Sequence, residues 1–239
     1  LIDSFNKAKL TPVSLKVFFI DHFNLWVDGS DEDFIEEEYL RAAFEKGEAL
    51  HFWDWLTEGP QKEVFLGIDT SRSNDLSSLT VLHYDEEKDY VYAFPIIYFP
   101  DNPTKKVRPG GVSLHAWIKQ GHIKEHAHKR INYDEIIEDI KQIAEVAEIA
   151  GFGYDTYNMT AIVPKLEALG IYCSPIGQTI GKISPSAKLF DRYFAEEKIT
   201  CWNPAFKWQI KNVRLRYDQD NNIKPDKKES KDSIDSVYS

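Results

Sequence analysis

Cysteine is almost missing from this chain. Cys173 and Cys201 are the only two among 239 residues, too few for a disulfide framework and without the CxxC spacing of a structural zinc site. The pair suits a reducing compartment, each cysteine reading as a small buried hydrophobe. No apolar run approaches the roughly 18 residues a membrane helix needs. The opening Leu1-Ile2-Asp3-Ser4 lacks the charged-then-apolar layout of a signal peptide, and no membrane partner is expected. An initiator methionine is lacking too, Met159 being the one methionine, so the chain reads as a fragment of a longer protein. No GxxxxGK(S/T) segment occurs, which excludes a phosphate-binding loop of that kind within these residues.

What is present suffices for a sizeable core, with 42% hydrophobic and 13% aromatic residues. A net charge of −10 argues against a nucleic-acid partner, because neutralising phosphates is the main source of such affinity. The distribution changes that reading. Residues 1–60 carry −8 and residues 61–170 carry −5, but residues 171–239 carry +3. In this basic third, Lys182, Lys188, Arg192, Lys207, Lys211, Arg214, Arg216, Lys224, Lys227, Lys228 and Lys231 are candidates for a surface that tracks DNA phosphates. The competing reading is an ordinary solvated face.

Residues 1–60 are acidic and aromatic, with Asp31-Glu32-Asp33 ahead of a helix expected at about 34–46. A composition change at Gly59-Pro60 places the main domain boundary there. Glu63-Val64-Phe65-Leu66-Gly67-Ile68-Asp69 then reads as a buried strand ending in a carboxylate. Strands at 79–84 and 90–99, joined by a polar turn, extend it into an antiparallel meander. A Pro- and Gly-rich loop at 100–111, with Lys105, Lys106 and Arg108, reads as a solvated connection or an arm near a substrate. The clearest helix is expected at 133–150, capped by Asn132 with Glu135 and stopped by Gly151. A short strand ending at Asp155, a helix at 159–169 stopped by Gly170 and a strand at 171–174 add a parallel βαβ unit. Helices at about 186–197 and 206–213 follow, and residues 232–239 read as the first turns of another.

Three aspartates stand out. Asp69 and Asp155 close strands and Asp235 sits on the terminal helix, and in an α/β sheet the carboxyl ends of adjacent parallel strands face one crevice. Clustered carboxylate oxygens suit hard divalent cations, which as a pair roughly 3.5–4 Å apart support phosphodiester cleavage. Taken singly, each aspartate reads first as a helix cap. Packed together without a cation they repel, so such a site is expected to be strained or to take up protons.

Leu66-Gly67-Ile68-Asp69-Thr70-Ser71 with Asp75-Leu76-Ser77 and Leu79-Thr80 resembles the first nuclease motif of phage terminase large subunits. Tyr154-Asp155-Thr156-Tyr157-Asn158 resembles the second, and Lys231-Asp232-Ser233-Ile234-Asp235 the third. Trp117-Ile118-Lys119-Gln120-Gly121, Ile131-Asn132-Tyr133 and Gly177-Gln178 are similar to the family as well, with an echo at His22-Phe23-Asn24-Leu25-Trp26. The resemblance covers about residues 61–239. It implies a ribonuclease H-like α/β fold, a mixed sheet of antiparallel meander and then parallel strands flanked by helices. It implies a DNA endonuclease that cuts concatemeric viral DNA during packaging, with Asp69, Asp155 and Asp235 binding two Mg²⁺ or Mn²⁺ ions. Asp75 matches an auxiliary acidic position, and Asp232 could share a helix face with Asp235, though a helix-capping or solvated role suits it better. The partners implied are double-stranded DNA and, in the longer protein, the packaging ATPase domain, the small terminase subunit and the portal, in the host cytoplasm. Residues 1–60 would then be a linker or the remnant of that ATPase domain.

Asp235 lies four residues before Ser239, so its helix is expected to be loosely held. His83, His115, His122, His126 and His128 read as surface or structural, since oxygen ligands already suit a hard metal. Gly67-Ile68-Asp69-Thr70-Ser71 also resembles a phosphate motif of actin-like sugar kinases, but the glycine-rich loops such kinases need are not evident with 12 glycines. Other ribonuclease H-like nucleases, of resolvase or transposase type, and a DNA-clamping domain without catalysis remain as alternatives.

Overall fold

Period-two alternation sets the centre of the molecule. In the computed structural model, strand β1 (Glu63–Asp69) buries Val64, Leu66 and Ile68 on one face and turns Phe65, Gly67 and Asp69 to the other. β2 (Ser77–Asp85) and β3 (Tyr90–Pro100) follow as antiparallel neighbours, with Asp69 opposite Ser78 and Ser77 opposite Tyr98. The structure describes residues 2–9, 14–15, 18, 22, 33–48, 50–71, 75–101, 112–156, 159 and 162–239. The loop expected to carry Lys105, Lys106 and Arg108 lies outside these residues, as do Tyr157, Asn158 and most of the segment around His22.

The outer edge of β3 is shared end to end by β4 (Ile123–His126) and β7 (Ile199–Cys201), both parallel to it. On the far side, β5 (Glu148–Tyr154) runs parallel to β1, and β6 (Cys173–Pro175) runs parallel to β5. This mixed sheet, meander first and parallel strands after, is the order expected from the sequence.

Both faces are covered. Phe94 and Tyr98 of β3 join Val64, Leu66 and Phe152 in one cluster beneath α5 (Tyr133–Val146), which buries Ile136, Ile137, Ile140 and Ile143. Each buried isoleucine truncated to alanine is expected to cost about 2–5 kcal/mol. Ala93, Ile97 and Phe99 of β3 face the other way, toward α2 (Glu37–Glu48), α7 (Ile180–Ala195) and α8 (Pro204–Asn212). Packing continues across Gly59-Pro60. Leu40 and Phe44 of α2 enter this second cluster, while Phe52 and Leu56 of α3 (Phe52–Thr57) enter the first. Helices α1 (Ile2–Ala8), α4 (Leu114–Lys119) and α6 (Val163–Glu167) also lie among the described residues.

The structure corrects several expected bounds. Helix α5 ends at Val146, short of residue 150, and Gly151 lies inside β5. The Glu148 N–H donates to Lys62 O at 2.9 Å and residues 148–154 pair with β1, so sheet pairing outweighs the continued apolar spacing. Asn132 caps α5 by accepting from the Asp134 N–H, but Glu135 accepts from the Asn132 side-chain amide, because the Asn132 backbone N–H donates to buried His126 Nδ1 at 2.7 Å. Helix α7 starts at Ile180 with Pro185 inside it, where the sequence suggested a start near 186. Cys201 is buried as expected, whereas Cys173 is half-buried.

Candidate carboxylate site

Two glycines build the floor. Gly67 precedes Asp69 by two residues on β1, and Gly153 precedes Asp155, one residue past β5, by the same step. Each glycine and its aspartate therefore share a face. That face receives the terminal helix α9 (Asp235–Tyr238). A Cβ at Gly67 would stand 1.8 Å from the Ser239 carbonyl oxygen, so the helix reaches the strand only because no side chain is there. Thr80 Oγ1 and Ser239 Oγ, 2.6 Å apart, share a hydrogen bond that fixes the same contact.

Asp235 is 7% exposed, and its helix, expected to be loosely held, is clamped. Gln209 of α8, fully buried, accepts from the Ser236 N–H at 2.9 Å through Oε1 and donates to Ser236 Oγ at 2.9 Å through Nε2. Asn212 Nδ2 donates to Ser233 O at 3.3 Å, and the Ser233 hydroxyl donates to Asp235 Oδ2. A helix of four residues has little intrinsic stability; these side-chain contacts from α8 hold it.

The chain supplies its own cation between the carboxylates. Lys227 has an exposed stem, but its ammonium donates both to Asp69 Oδ2 and, at 3.1 Å, to Asp235 Oδ1. Burial pushes the Asp235 carboxyl well above the usual range; Lys227 and the Ser233 hydroxyl oppose this, and Asp69 and Asp75 add to it. Burial would lower the Lys227 ammonium, but Asp235 and Asp69 override it and hold it above the ordinary lysine value. The Tyr238 ring closes the group, its centroid 4.8 Å from the ammonium. Asp155 lines the same cleft, about 340 Å³, together with Asp69, Gln178, Arg216, Lys224, Lys227 and Lys228. Lys227 offsets the repulsion expected of the bare carboxylates in part, and the Asp235 carboxyl remains pushed up. Among the described residues, no three His, Cys, Asp or Glu side chains close into a ready-made ligand cage.

The other expected site residues divide. Asp75 is half-buried, accepts from the Leu76 N–H at 2.9 Å, and lies near enough to act on Asp235. Asp232 turns to its own backbone, accepting from the Ser233 N–H at 2.7 Å. Arg216, Lys224, Lys227 and Lys228 belong to or follow the hairpin of β8 (Leu215–Tyr217) and β9 (Ile223–Pro225), which forms one wall of the cleft. Lys224 donates to Gln178 O at 2.5 Å, and the Lys182 stem lies over Gly177. Lys207 and Lys211 instead pair with Glu37 of α2. Arg192 of α7, the helix that also carries Lys188, lies 3.8 Å from Glu196 at the helix C-cap. Arg214 donates its N–H to Ser230 Oγ, and the Lys231 N–H donates to Asn212 O, placing both backbones beside the third motif.

Three features were not read from the sequence: the hairpin, the Gln209 clamp and the inward ammonium of Lys227. The first had a signal in Asp218-Gln219-Asp220-Asn221-Asn222, since Asp218 accepts from the Asp220 and Asn222 N–H groups and Asn221 adopts φ +56°. The histidines are structural where contacts are visible: His83 bonds Glu63 O at 2.7 Å and His122 packs edge-on against Trp202.

The sequence model of the family described as terminase large subunit, endonuclease domain, matches residues 1–239. Among solved structures, the chain is similar to the large terminase of bacteriophage HK97, with TM-score 0.70 and 18% identity over 86% of this chain and 42% of that one. It therefore spans less than half the length of that relative. The large terminase nuclease of thermophilic phage G20c matches with TM-score 0.50 and 14% identity over 76% of this chain and 80% of that one. The same G20c domain with bound magnesium gives TM-score 0.48 and 14% identity over 76% and 79% of the two chains. Among curated protein sequences, none matches this chain.

Proposed function

This chain belongs to the family of terminase large subunit endonuclease domains, and from that premise we propose that it is a divalent-metal-dependent endodeoxyribonuclease that cuts concatemeric viral DNA during genome packaging. One observation carries the reading: Asp69 and Asp235, 166 positions apart in the chain, converge on a single positive charge, the Lys227 ammonium, and Asp155 lines one cleft with Asp69 and Lys227. A donor set of carboxylate oxygens suits a hard cation. Asp69, Asp155 and Asp235 would hold Mg²⁺ or Mn²⁺, as a pair of ions, with Asp75 as an auxiliary carboxylate. When bound, such ions supply Lewis-acid stabilisation of the scissile phosphodiester and activation of the hydrolytic water.

The remaining work falls to the chain's own groups. Asp69 ends β1, Asp155 lies one residue past β5, and Gln209 holds Ser236 beside Asp235, which supports a carboxylate group held in place ahead of any ligand. Arg216, Lys224 and Lys228 wall the cleft and would fix the backbone of double-stranded DNA by phosphate contacts, which carry no sequence information. Lys182, Lys188, Arg192, Arg214 and Lys231 are proposed to extend that track. Within this reading residues 61–239 form the nuclease domain. Residues 1–60 are the connector from a packaging ATPase, its Phe34 to Leu56 part folded onto the nuclease cores. The ATPase domain, small terminase subunit and portal are assigned as partners of the longer protein in the host cytoplasm.

A DNA clamp without catalysis is the second reading, favoured by the lysine already seated between two of the carboxylates. Supercoiled plasmid incubated with Mn²⁺ separates the two. Nicking that is lost on adding a chelator and in Asp69→Asn and Asp155→Asn supports the nuclease; binding without nicking at any divalent-ion concentration supports the clamp.

A further inference from the structure

Lys227 belongs to a segment whose backbone is pinned on both sides. The Asp226 N–H donates to Arg214 O at 2.8 Å, Asp226 Oδ1 accepts from the Lys228 N–H at 2.8 Å, and the Ser230 N–H donates to Asp226 O at 2.9 Å. The turn is therefore fixed, and the freedom left at this position is that of the side chain. Its side chain is 44% exposed, so solvent lies within reach of a rotamer change that leaves the backbone in place. Inside the cleft that ammonium contacts two of the carboxylates assigned above as metal ligands. An ammonium seated between the two carboxylates takes up the space, and repels the charge, of a divalent ion held by the same oxygens.

We propose that Lys227 is a built-in competitor of the metal: it holds Asp69 and Asp235 together in the metal-free protein and must leave the cleft when a divalent cation binds. The inference rests on the metal-binding reading of those aspartates. It gives the lysine a role apart from phosphate contact, keeping the carboxylates in place while lowering their affinity for stray cations. The energy that metal binding gains is reduced by the ion pairs it breaks, so removing the lysine raises the apparent affinity, as for any two ligands linked through one site.

Mn²⁺ binding to the full chain, followed without DNA by the loss of the free-ion electron paramagnetic resonance signal, tests this in wild type, Lys227→Met, Lys227→Gln and Asp69→Asn. Both lysine variants are expected to bind Mn²⁺ roughly tenfold more tightly than wild type, and Asp69→Asn more weakly. A second readout needs no variant to fold well: the Lys227 side-chain ¹⁵Nζ resonance of the wild type, protected in the ion pair, is expected to vanish on saturation with diamagnetic Mg²⁺. Equal Mn²⁺ affinity in wild type and both lysine variants, with Asp69→Asn weakened, overturns the competition and leaves the metal site standing. So does an Nζ resonance that persists under saturating Mg²⁺. Failure of wild type and lysine variants alike to bind Mn²⁺ sinks both this inference and the metal reading beneath it.

Discussion

Replacing Gly67 with alanine should disable the site through one methyl group. The new Cβ would stand 1.8 Å from the Ser239 carbonyl oxygen and 2.8 Å from its carbon, both backbone atoms of the residue that follows the terminal helix. Reaching an ordinary separation of about 3.5 Å requires the helix end to retreat by roughly 1.7 Å. Asp235 lies on that helix, and misplacement of a reacting group by about 1 Å costs on the order of 100-fold in rate. Overpacking of this kind destabilises by about 1–3 kcal/mol, which in a chain of this size lowers the melting temperature by about 2–12 °C. Gly153→Ala is the control, because its Cβ would meet Ile176 Cγ1 at 3.3 Å, the side chain of a residue that is 45% exposed and can yield. There the gain of about 0.4–1 kcal/mol from a less flexible unfolded chain offsets much of the crowding. Plasmid nicking with Mn²⁺ and thermal melts of both variants provide the assay. Gly67→Ala that nicks and melts like wild type would refute the packing argument for how Asp235 is placed.

Gln209→Ala should lower stability by about 1–3 kcal/mol by leaving the Ser236 N–H without its acceptor and should weaken Mn²⁺ binding. Gln209→Glu keeps that acceptor and should recover much of the affinity, and equal metal affinity in all three proteins would contradict the clamp. A pH effect is expected away from the site, at Asp89 in the β2–β3 turn. The Lys198 ammonium and the Tyr193 and Tyr84 hydroxyls donate to its carboxylate and lower it to about 2. A depressed carboxyl stabilises the fold above its unfolded value and stops doing so as pH falls toward the folded one. Asp89→Asn should therefore melt below wild type at pH 7, with the gap closing between about pH 4 and pH 2; a pH-independent gap would argue against it. Arg216→Ala and Lys228→Ala should weaken duplex binding and flatten its salt dependence. Lys207→Ala and Lys211→Ala, whose partners are on α2, should change it little, and the reverse ranking would move the DNA track off the cleft.

The meander was legible because β1 to β3 alternate or run apolar between polar turns, and β1 matches its expected bounds of 63 and 69. The strand-terminal aspartates were legible for the same reason, since a strand ending in a carboxylate stands out against its apolar run. Helix α5 was overextended because Ala147 and Ala150 keep its apolar spacing while Glu148 to Tyr154 are claimed by β1, a pairing partner 85 residues earlier in the chain. Strands of three residues, such as β7, β8 and β9, carry too little pattern to stand out. The clamp was hidden for another reason: an uncharged glutamine inside an amphipathic helix reads as solvent-facing, and only tertiary contact shows Gln209 fully buried. Lys227 was grouped with its basic neighbours because charge counts do not say which way an ammonium points.

The most direct test of the central claim is anomalous diffraction from crystals equilibrated with Mn²⁺. The account predicts anomalous density in the cleft between Asp69, Asp155 and Asp235, with the Lys227 ammonium displaced from its place between Asp69 and Asp235. Mn²⁺ bound elsewhere, or no peak in the cleft at a concentration that supports nicking, would contradict the assignment of these three aspartates as the metal-binding carboxylates of the nuclease.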